Sequence, residues 1–227
     1  MVGNILIIKF GSANNFKMKI LENFKVFFWD FDGVIKESIN IKSQSYYRLF
    51  EPYGIKIAQK ILDHHKSNNG ISRFDKVPIY LRWAGLDTSK STVIKFCDEF
   101  SKLVLNAVIN SPWVPGAEEY LRANKYNQIF ICVSATPQEE LEYIINELNL
   151  TNCFFRVFGS PHSKKNVINN LCSELNLDKT KCLMIGDAHS DLEAAKVNEI
   201  NFILRRHSDN RNLWNSCAEN FIEDFLI

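Results

Sequence analysis

The feature that most constrains the fold is a repeated plan in which a short apolar run ends in a polar turn and is followed by residues at helical spacing. Lys25 to Trp29, Ile129 to Val133, Phe154 to Phe158, Cys182 to Ile185 and Phe202 to Leu204 read as strands, since they are short and bounded by turn residues. Between them Leu141, Ile144, Ile145 and Leu148, and later Val167, Ile168, Leu171 and Leu175, recur at the period of a helix. Strands joined by helices call for a parallel sheet, because each parallel neighbour needs a long crossover and a helix supplies it. The expected class is α/β.

The interval from Glu37 to Ser111 breaks this alternation: it holds several helical patterns and no clear strand. In its longest helix candidate Val93, Phe96, Cys97, Phe100, Val104 and Ala107 form one apolar stripe, with Lys95, Glu99 and Lys102 on other faces. It reads as an inserted helical cap, closed by the turn signals of Ser111-Pro112-Trp113-Val114-Pro115-Gly116. The first seventeen residues read as an extension, and Met18 is an alternative start. At 227 residues the chain can bury roughly 70% of its unfolded surface. Its 27 basic and 26 acidic side chains give a net charge of +1, which argues against a nucleic-acid binder held by net field. No apolar run approaches a membrane span: Ile5 to Ile8 is stopped by Lys9. The six cysteines are scattered, with no Cys-x-x-Cys pair, so a reducing cytoplasm is expected, and Cys132 and Cys182 read as buried hydrophobes.

Four strand ends carry chemistry. In Asp30-Phe31-Asp32-Gly33 the two acids project to one side of an extended chain, and two close carboxylates call for a cation between them or a proton kept by one of them. Asp-Gly is also a common turn. Ser134 precedes a helix start marked by a Thr136/Glu139 capping box and Pro137, where free amides attract an anion and the hydroxyl can add a donor or serve as a plain cap. Lys164 or its neighbour Lys165 opens the next helix, the wrong end for a cation unless an anion such as Asp30 or a phosphate lies nearby. In Gly186-Asp187-Ala188-His189-Ser190-Asp191, two more acids precede a helix expected to open with a Ser190/Glu193 box. Asp30, Asp187 and a backbone carbonyl have the hard oxygen donors that suit Mg²⁺.

With these motifs in this order, and a helical insertion after the first, the sequence resembles the haloacid dehalogenase-like hydrolase superfamily, in its capped phosphatase and phosphomutase branch. The resemblance covers nearly everything after Met18. It implies a Rossmann-like core of residues 18–36 and 112–227, a cap of 37–111 and an extension of 1–17. By resemblance, Asp30 is the nucleophile that becomes an aspartyl-phosphate, and Asp32 is the general acid and base. Ser134 and Lys164 hold the transferring oxygens, and Phe31 and Ala135 lie beside the substrate. Asp30, Asp32 through its carbonyl, Asp187 and Asp191 form the Mg²⁺ site, Asp191 through waters or the second shell. The cap segment Asn69-Gly70-Ile71-Ser72-Arg73-Phe74-Asp75-Lys76 resembles the family's substrate-contacting loop, making Gly70, Arg73 and Lys76 candidate contacts, with a surface ion pair as the other reading of Arg73. The implied activity is cytoplasmic hydrolysis of a small phosphorylated metabolite of the sugar-phosphate kind, without nucleic-acid or membrane partners. A phosphomutase using the same acids and a catalytically silent binding protein are the rivals. The adjacent His64 and His65 face apart on a helix, so metal binding by that pair is not expected, and His189 is expected in solvent.

Overall fold

The computed structural model describes residues 21–226 apart from residue 219. The expected extension and the alternative start at Met18 lie outside the described residues. Six strands, β1 (Val26–Trp29), β2 (Ile129–Pro137), β3 (Arg156–Ser160), β4 (Cys182–Gly186), β5 (Asn201–Arg205) and β6 (Phe221–Ile222), form one sheet in the order β3-β2-β1-β4-β5-β6. Every neighbouring pair is parallel. This doubly wound order places the change of winding direction beside β1, and ligands bind in the crevice outside the carboxyl ends of such strands.

Helices α1 (Ile39–Phe50), α2 (Ile55–Ser67), α3 (Arg73–Trp83) and α4 (Lys90–Ile109) all lie between β1 and β2 in the chain. The remaining helices, α5 (Ala117–Ala123), α6 (Gln138–Glu147), α7 (Lys164–Glu174) and α8 (His189–Asn198), accompany the sheet. On α4 the buried stripe is Phe96, Cys97, Phe100, Val104 and Val108, so its register runs to Val108 rather than to the expected Ala107. Tyr46 of α1 stacks on Phe100 of α4 with ring centres 3.9 Å apart, which centres the packing of the inserted helices. The chain leaves and re-enters the sheet through a paired crossing. Glu37 N–H donates to Pro112 C=O (2.9 Å), and Val114 N–H donates to Ile35 C=O (3.0 Å). Buried Lys36 donates to Ile109 C=O at 3.0 Å and lies over the Trp113 ring.

Strand alternation divides the core. Phe27 and Trp29 face one side with Phe130, Leu183, Tyr120, Leu141 and Phe225, while Val26 and Phe28 face the other with Ile131, Met184, Val167, Ile168 and Ala195. The strand expected at Phe154 to Phe158 pairs two residues later, because β3 aligns Arg156 with Ile131 and its ladder runs to Ser160 opposite Pro137. β6 was not expected: two residues are too few to show a period.

The end of the described chain is pinned under β1. Phe225 N–H donates to Pro115 C=O (2.8 Å), and its ring lies 5.0 Å from Trp29. Gly116 has φ +76°, and a Cβ there would meet the Phe225 carbonyl carbon at 2.5 Å. Gly116→Ala should therefore cost roughly 1–3 kcal/mol, read as a lower urea midpoint with an unchanged slope; an unaltered midpoint would contradict this packing.

Candidate active site

The site begins where β1 stops. Asp30 still pairs with the sheet, its N–H donating to Ile185 C=O at 2.9 Å. It shares the side of Val26 and Phe28, the face on which α7 and α8 pack, while Phe31 turns into the opposite core and is fully buried. Phe31 can therefore meet a ligand only through its backbone, and its N–H already donates to Asp30 Oδ1 at 2.7 Å.

The expected convergence of Asp30 and Asp32 on one partner does not occur. After Asp30 the chain bends, with Gly33 at φ +76°, and the two carboxylates take separate cations. Asp32 accepts from Ser38 Oγ (2.5 Å), Lys42 Nζ (2.5 Å) and Thr136 Oγ1 (3.3 Å). Burial acts to raise its pKa, but the Lys42 ammonium and these hydrogen bonds hold it below the usual carboxylate value. Ser38 and Lys42 are one helical turn apart at the start of α1, a spacing visible in the sequence but not singled out there.

Lys164 is the first residue of α7 after the Ser163 cap, and it is buried while Lys165 is exposed. Its Nζ lies 2.8 Å from Asp30 Oδ2 and 2.5 Å from Asp191 Oδ1. The anion needed by a lysine at a helix start is thus a pair of carboxylates. They raise the Lys164 pKa although burial acts to lower it. The Ser190/Glu193 capping box is not formed. α8 starts at His189, and Asp191 Oδ2 caps it by accepting from Asp187 N–H (3.2 Å) and Ala188 N–H (3.0 Å). A Cβ at Gly186 would overlap the Asp191 carboxylate, so glycine lets that side chain fold back over the strand end.

Asp187 completes the cluster. Its Oδ2 accepts from Asn69 Nδ2 (2.7 Å) and from His207 Nε2 (2.9 Å), whose Nδ1 accepts from Asp209 N–H. Its Oδ1 is buried with no partner. Oxygens of Asp30, Asp187 and Asp191 lie within 4.8 Å of one another. Burial, then the Asp191 charge, raises the Asp30 pKa to about 7, and burial raises those of Asp187 and Asp191. An orphaned buried oxygen among crowded hard donors fits Mg²⁺, with Asp30 and Asp187 as direct carboxylate donors. The Asp32 carboxylate is occupied, which leaves its carbonyl as the donor it could offer such an ion, and both oxygens of Asp30 and of Asp191 already accept hydrogen bonds, so Asp187 Oδ1 is the one carboxylate oxygen of the cluster without a partner.

The remaining candidates divide. Ser134 is buried and its Oγ accepts from Thr136 N–H at 3.2 Å. The Thr136/Glu139 box fails because β2 continues to Pro137 and α6 begins at Gln138, which leaves Thr136 Oγ1 free to bind Lys42 (2.9 Å) and Asp32. Ala135, Arg73 and Lys76 line a pocket over Asp32 and Lys42, together with His65 and the Tyr46 and Phe100 rings. Gly70 is outside that lining: a Cβ there would strike Ser190, so this glycine seats the inserted helices on the β4–α8 loop. Arg73 forms a buried fork with Glu140 of α6 (2.6 and 2.8 Å), also bonds Ser101, and is neither a surface pair nor an unoccupied donor. Lys76 and His65 are buried against each other, and His189 is exposed. Lys42, Ser38, Asn69, His65, His207 and Glu140 were missed as site residues: Ser38 and Lys42 meet Asp32 only because the chain bends at Gly33, and Asn69, His207 and Glu140 act on elements far from them in sequence.

The carboxylate crowding has a testable sign. Carboxyls whose folded pKa is raised bind protons more tightly in the folded than in the unfolded chain, so metal-free protein should lose stability as pH rises from about 4 to about 7. Added Mg²⁺ should raise the melting temperature more at pH 7.5 than at pH 5, because protons compete for the same oxygens. Asp187→Asn should abolish that shift; thermal melts with and without Mg²⁺ provide the measurement.

The sequence matches the haloacid dehalogenase-like hydrolase family over residues 27–204. No curated protein matches it. Among solved structures, it is similar to a predicted phosphoglycolate phosphatase from Haemophilus somnus 129PT, with 18% identity and a TM-score of 0.69, covering 89% of this chain and 95% of that one. It is also similar to a β-phosphoglucomutase from Clostridium difficile, with 18% identity and a TM-score of 0.69, covering 89% and 92%. At these identities the solved structures establish the shared fold, whereas the match over residues 27–204 establishes kinship: this chain belongs to the haloacid dehalogenase-like hydrolase family.

Proposed function

We propose that the protein is a Mg²⁺-dependent phosphatase that hydrolyses a small phosphate monoester, of the sugar-phosphate kind, through an aspartyl-phosphate on Asp30. The observation that carries this reading is the placement of Asp30, buried at a strand end between the Lys164 ammonium and the acid cluster, with a differently paired Asp32 two residues on. A carboxylate oxygen of Asp30 attacks phosphorus, the ester P–O bond breaks, and the departing alkoxide takes a proton from Asp32. Water then attacks the same phosphorus, Asp32 takes its proton, and the bond to Asp30 breaks. Asp32 ends this second half protonated and so holds the proton that the next departing alkoxide takes, while the carboxylate form favoured by Lys42 is the base that the second half needs.

Lys164 donates to the transferring oxygens and offsets charge that builds there, and Ser134 Oγ adds a donor at the end of β2. Mg²⁺ held by Asp30 and Asp187 supplies neutralisation, easing the approach of an anionic carboxylate to an anionic phosphoryl group. The helices of residues 37–111 act as a cap over a core of 18–36 and 112–227, and a closed cap excludes polymeric substrates and bulk water. Among the described residues no helix is long and apolar enough to cross a membrane, and the six free cysteines suit a reducing cytoplasm.

Asp30→Asn should lower turnover of p-nitrophenyl phosphate by more than about 10³-fold, and wild-type activity in that variant would end this reading. A phosphomutase would instead convert a hexose phosphate to its isomer without releasing phosphate, so phosphate release is assayed beside sugar products. Lys164→Ala should cost on the order of 10²–10³ in kcat while exposed Lys165→Ala leaves it unchanged, and the reverse pattern would contradict the assignment of Lys164.

A further inference from the structure

Asp187 differs from the other acids of the cluster in how its two oxygens are used. Oδ1 is buried without a partner, whereas Oδ2 accepts two hydrogen bonds, from Asn69 Nδ2 at 2.7 Å and from His207 Nε2 at 2.9 Å. A carboxylate oxygen offers about two lone pairs, so Oδ2 is saturated. The two donors come from separate parts of the chain. Asn69 belongs to the inserted segment just before α3, and His207 follows β5 in the sheet domain.

Both donors are themselves held. His207 Nδ1 accepts from Asp209 N–H at 3.2 Å, which puts the ring proton on Nε2 and directs it at Asp187. Buried Asn210 spends its whole amide on the same segment. Its Nδ2 donates to Asp187 C=O (2.9 Å) and Arg205 C=O (2.8 Å), and its Oδ1 accepts from His207 N–H (3.1 Å) and Trp214 Nε1 (3.0 Å). One side chain thus ties the backbone of Asp187 to that of His207 and keeps ring and carboxylate in register. On the other side, Asn69 Oδ1 accepts from Gly70 N–H at 3.0 Å, and Gly70 is packed on Ser190. With Oδ2 saturated from two directions, Oδ1 is the single oxygen that Asp187 can give to a cation.

The number of oxygens a carboxylate gives separates the two common hard cations. Mg²⁺ is small and demands a near-ideal octahedron, which a carboxylate serves through one oxygen, whereas Ca²⁺ takes about six to eight ligands and readily accepts both oxygens of one group. We propose that His207 and Asn69 are positioning residues that make this site selective for Mg²⁺ over Ca²⁺, by withholding the second Asp187 oxygen that the larger ion would use. The inference rests on the Mg²⁺-dependent phosphatase reading and adds to it a cause for the choice of ion. Both residues act through the Asp187 carboxylate, as outer partners that orient a ligand do in metal sites generally.

Calorimetric titration of the metal-free full-length protein with MgCl₂ and with CaCl₂, both at pH 7.5, gives the two dissociation constants without turnover. His207→Phe keeps a ring and removes one donor; Asn69→Leu removes the other at nearly equal size. In each variant the Mg²⁺ constant should rise about 10–100-fold. The Ca²⁺ constant should change by less than about 3-fold, because the freed lone pair lets Asp187 give both oxygens to the larger ion. His207→Gln, whose amide can donate in place of Nε2, should keep most of the wild-type ratio. Loss of support for the fold alone would weaken both ions alike. Equal losses for the two ions in His207→Phe and Asn69→Leu, an unchanged Mg²⁺ constant, or a His207→Gln ratio as low as that of His207→Phe would overturn the inference. Those outcomes leave the phosphatase reading standing if wild-type protein with Mg²⁺ still releases phosphate from p-nitrophenyl phosphate. Wild-type protein that binds neither ion sinks the Mg²⁺ reading and this inference together. Asn69→Leu decides the matter if the His207 variants do not fold.

Discussion

The site depends on the electrostatic balance around the Lys164 ammonium. Three buried carboxylates meet at the ends of β1 and β4, an arrangement that self-repulsion would disperse in the absence of cations. Lys164 bridges two of them, Asp30 and Asp191, from the first turn of α7. The position is unfavourable for a lysine with respect to the helix dipole, and the paired acids offset it. Asp191, in turn, caps α8 with its other oxygen. One ammonium therefore joins the starts of two helices to the end of the central strand. Asp187, which Lys164 does not pair, keeps one buried oxygen without a partner.

A second constraint separates two aspartates that the sequence places side by side. Sheet pairing fixes Asp30 over the α7–α8 face, and the bend at Gly33 sends Asp32 towards α1. Asp30 is raised by burial and like charge, whereas Asp32 is lowered by Lys42, so two carboxyls two residues apart acquire opposite tendencies towards protons. The two carboxyls therefore differ in environment despite their closeness in the chain, one sharing an ammonium with other acids and the other paired with an ammonium of its own.

The inserted helices share in the site's construction. Asn69 bonds Asp187, Gly70 packs on Ser190, Ser72 meets Ser160 at 2.8 Å, and Arg73 grips Glu140. These contacts join the segment preceding α3, and the start of α3, to β3, α6 and the β4–α8 loop. Lys42 on α1 reaches Asp32 as well, so pocket and acid cluster are held together by both parts of the chain.

Much of this was legible in the sequence because it is local. Apolar runs of strand length, helical periods between them and acids or lysine at the strand ends follow from a chain's immediate neighbours. They determined the α/β class, the helical insertion and the candidacy of Asp30, Asp187 and Lys164. What the sequence left open or misplaced depends on distance in the chain. The Thr136 and Ser190 capping boxes are sound local patterns, overridden when β2 pairs with β3 as far as Pro137 and when Asp191 takes the loop amides. Arg73, read as a substrate contact or a surface ion pair, forms instead a buried pair with Glu140, supplied by a helix that periodicity cannot place beside it. The choice of Lys164 over Lys165, the capture of Asp32 by Lys42 and the burial of Lys76 against His65 were decided only by tertiary structure. A charge's partner is set by where separate elements meet in space, and a one-dimensional pattern carries the charge but not the meeting.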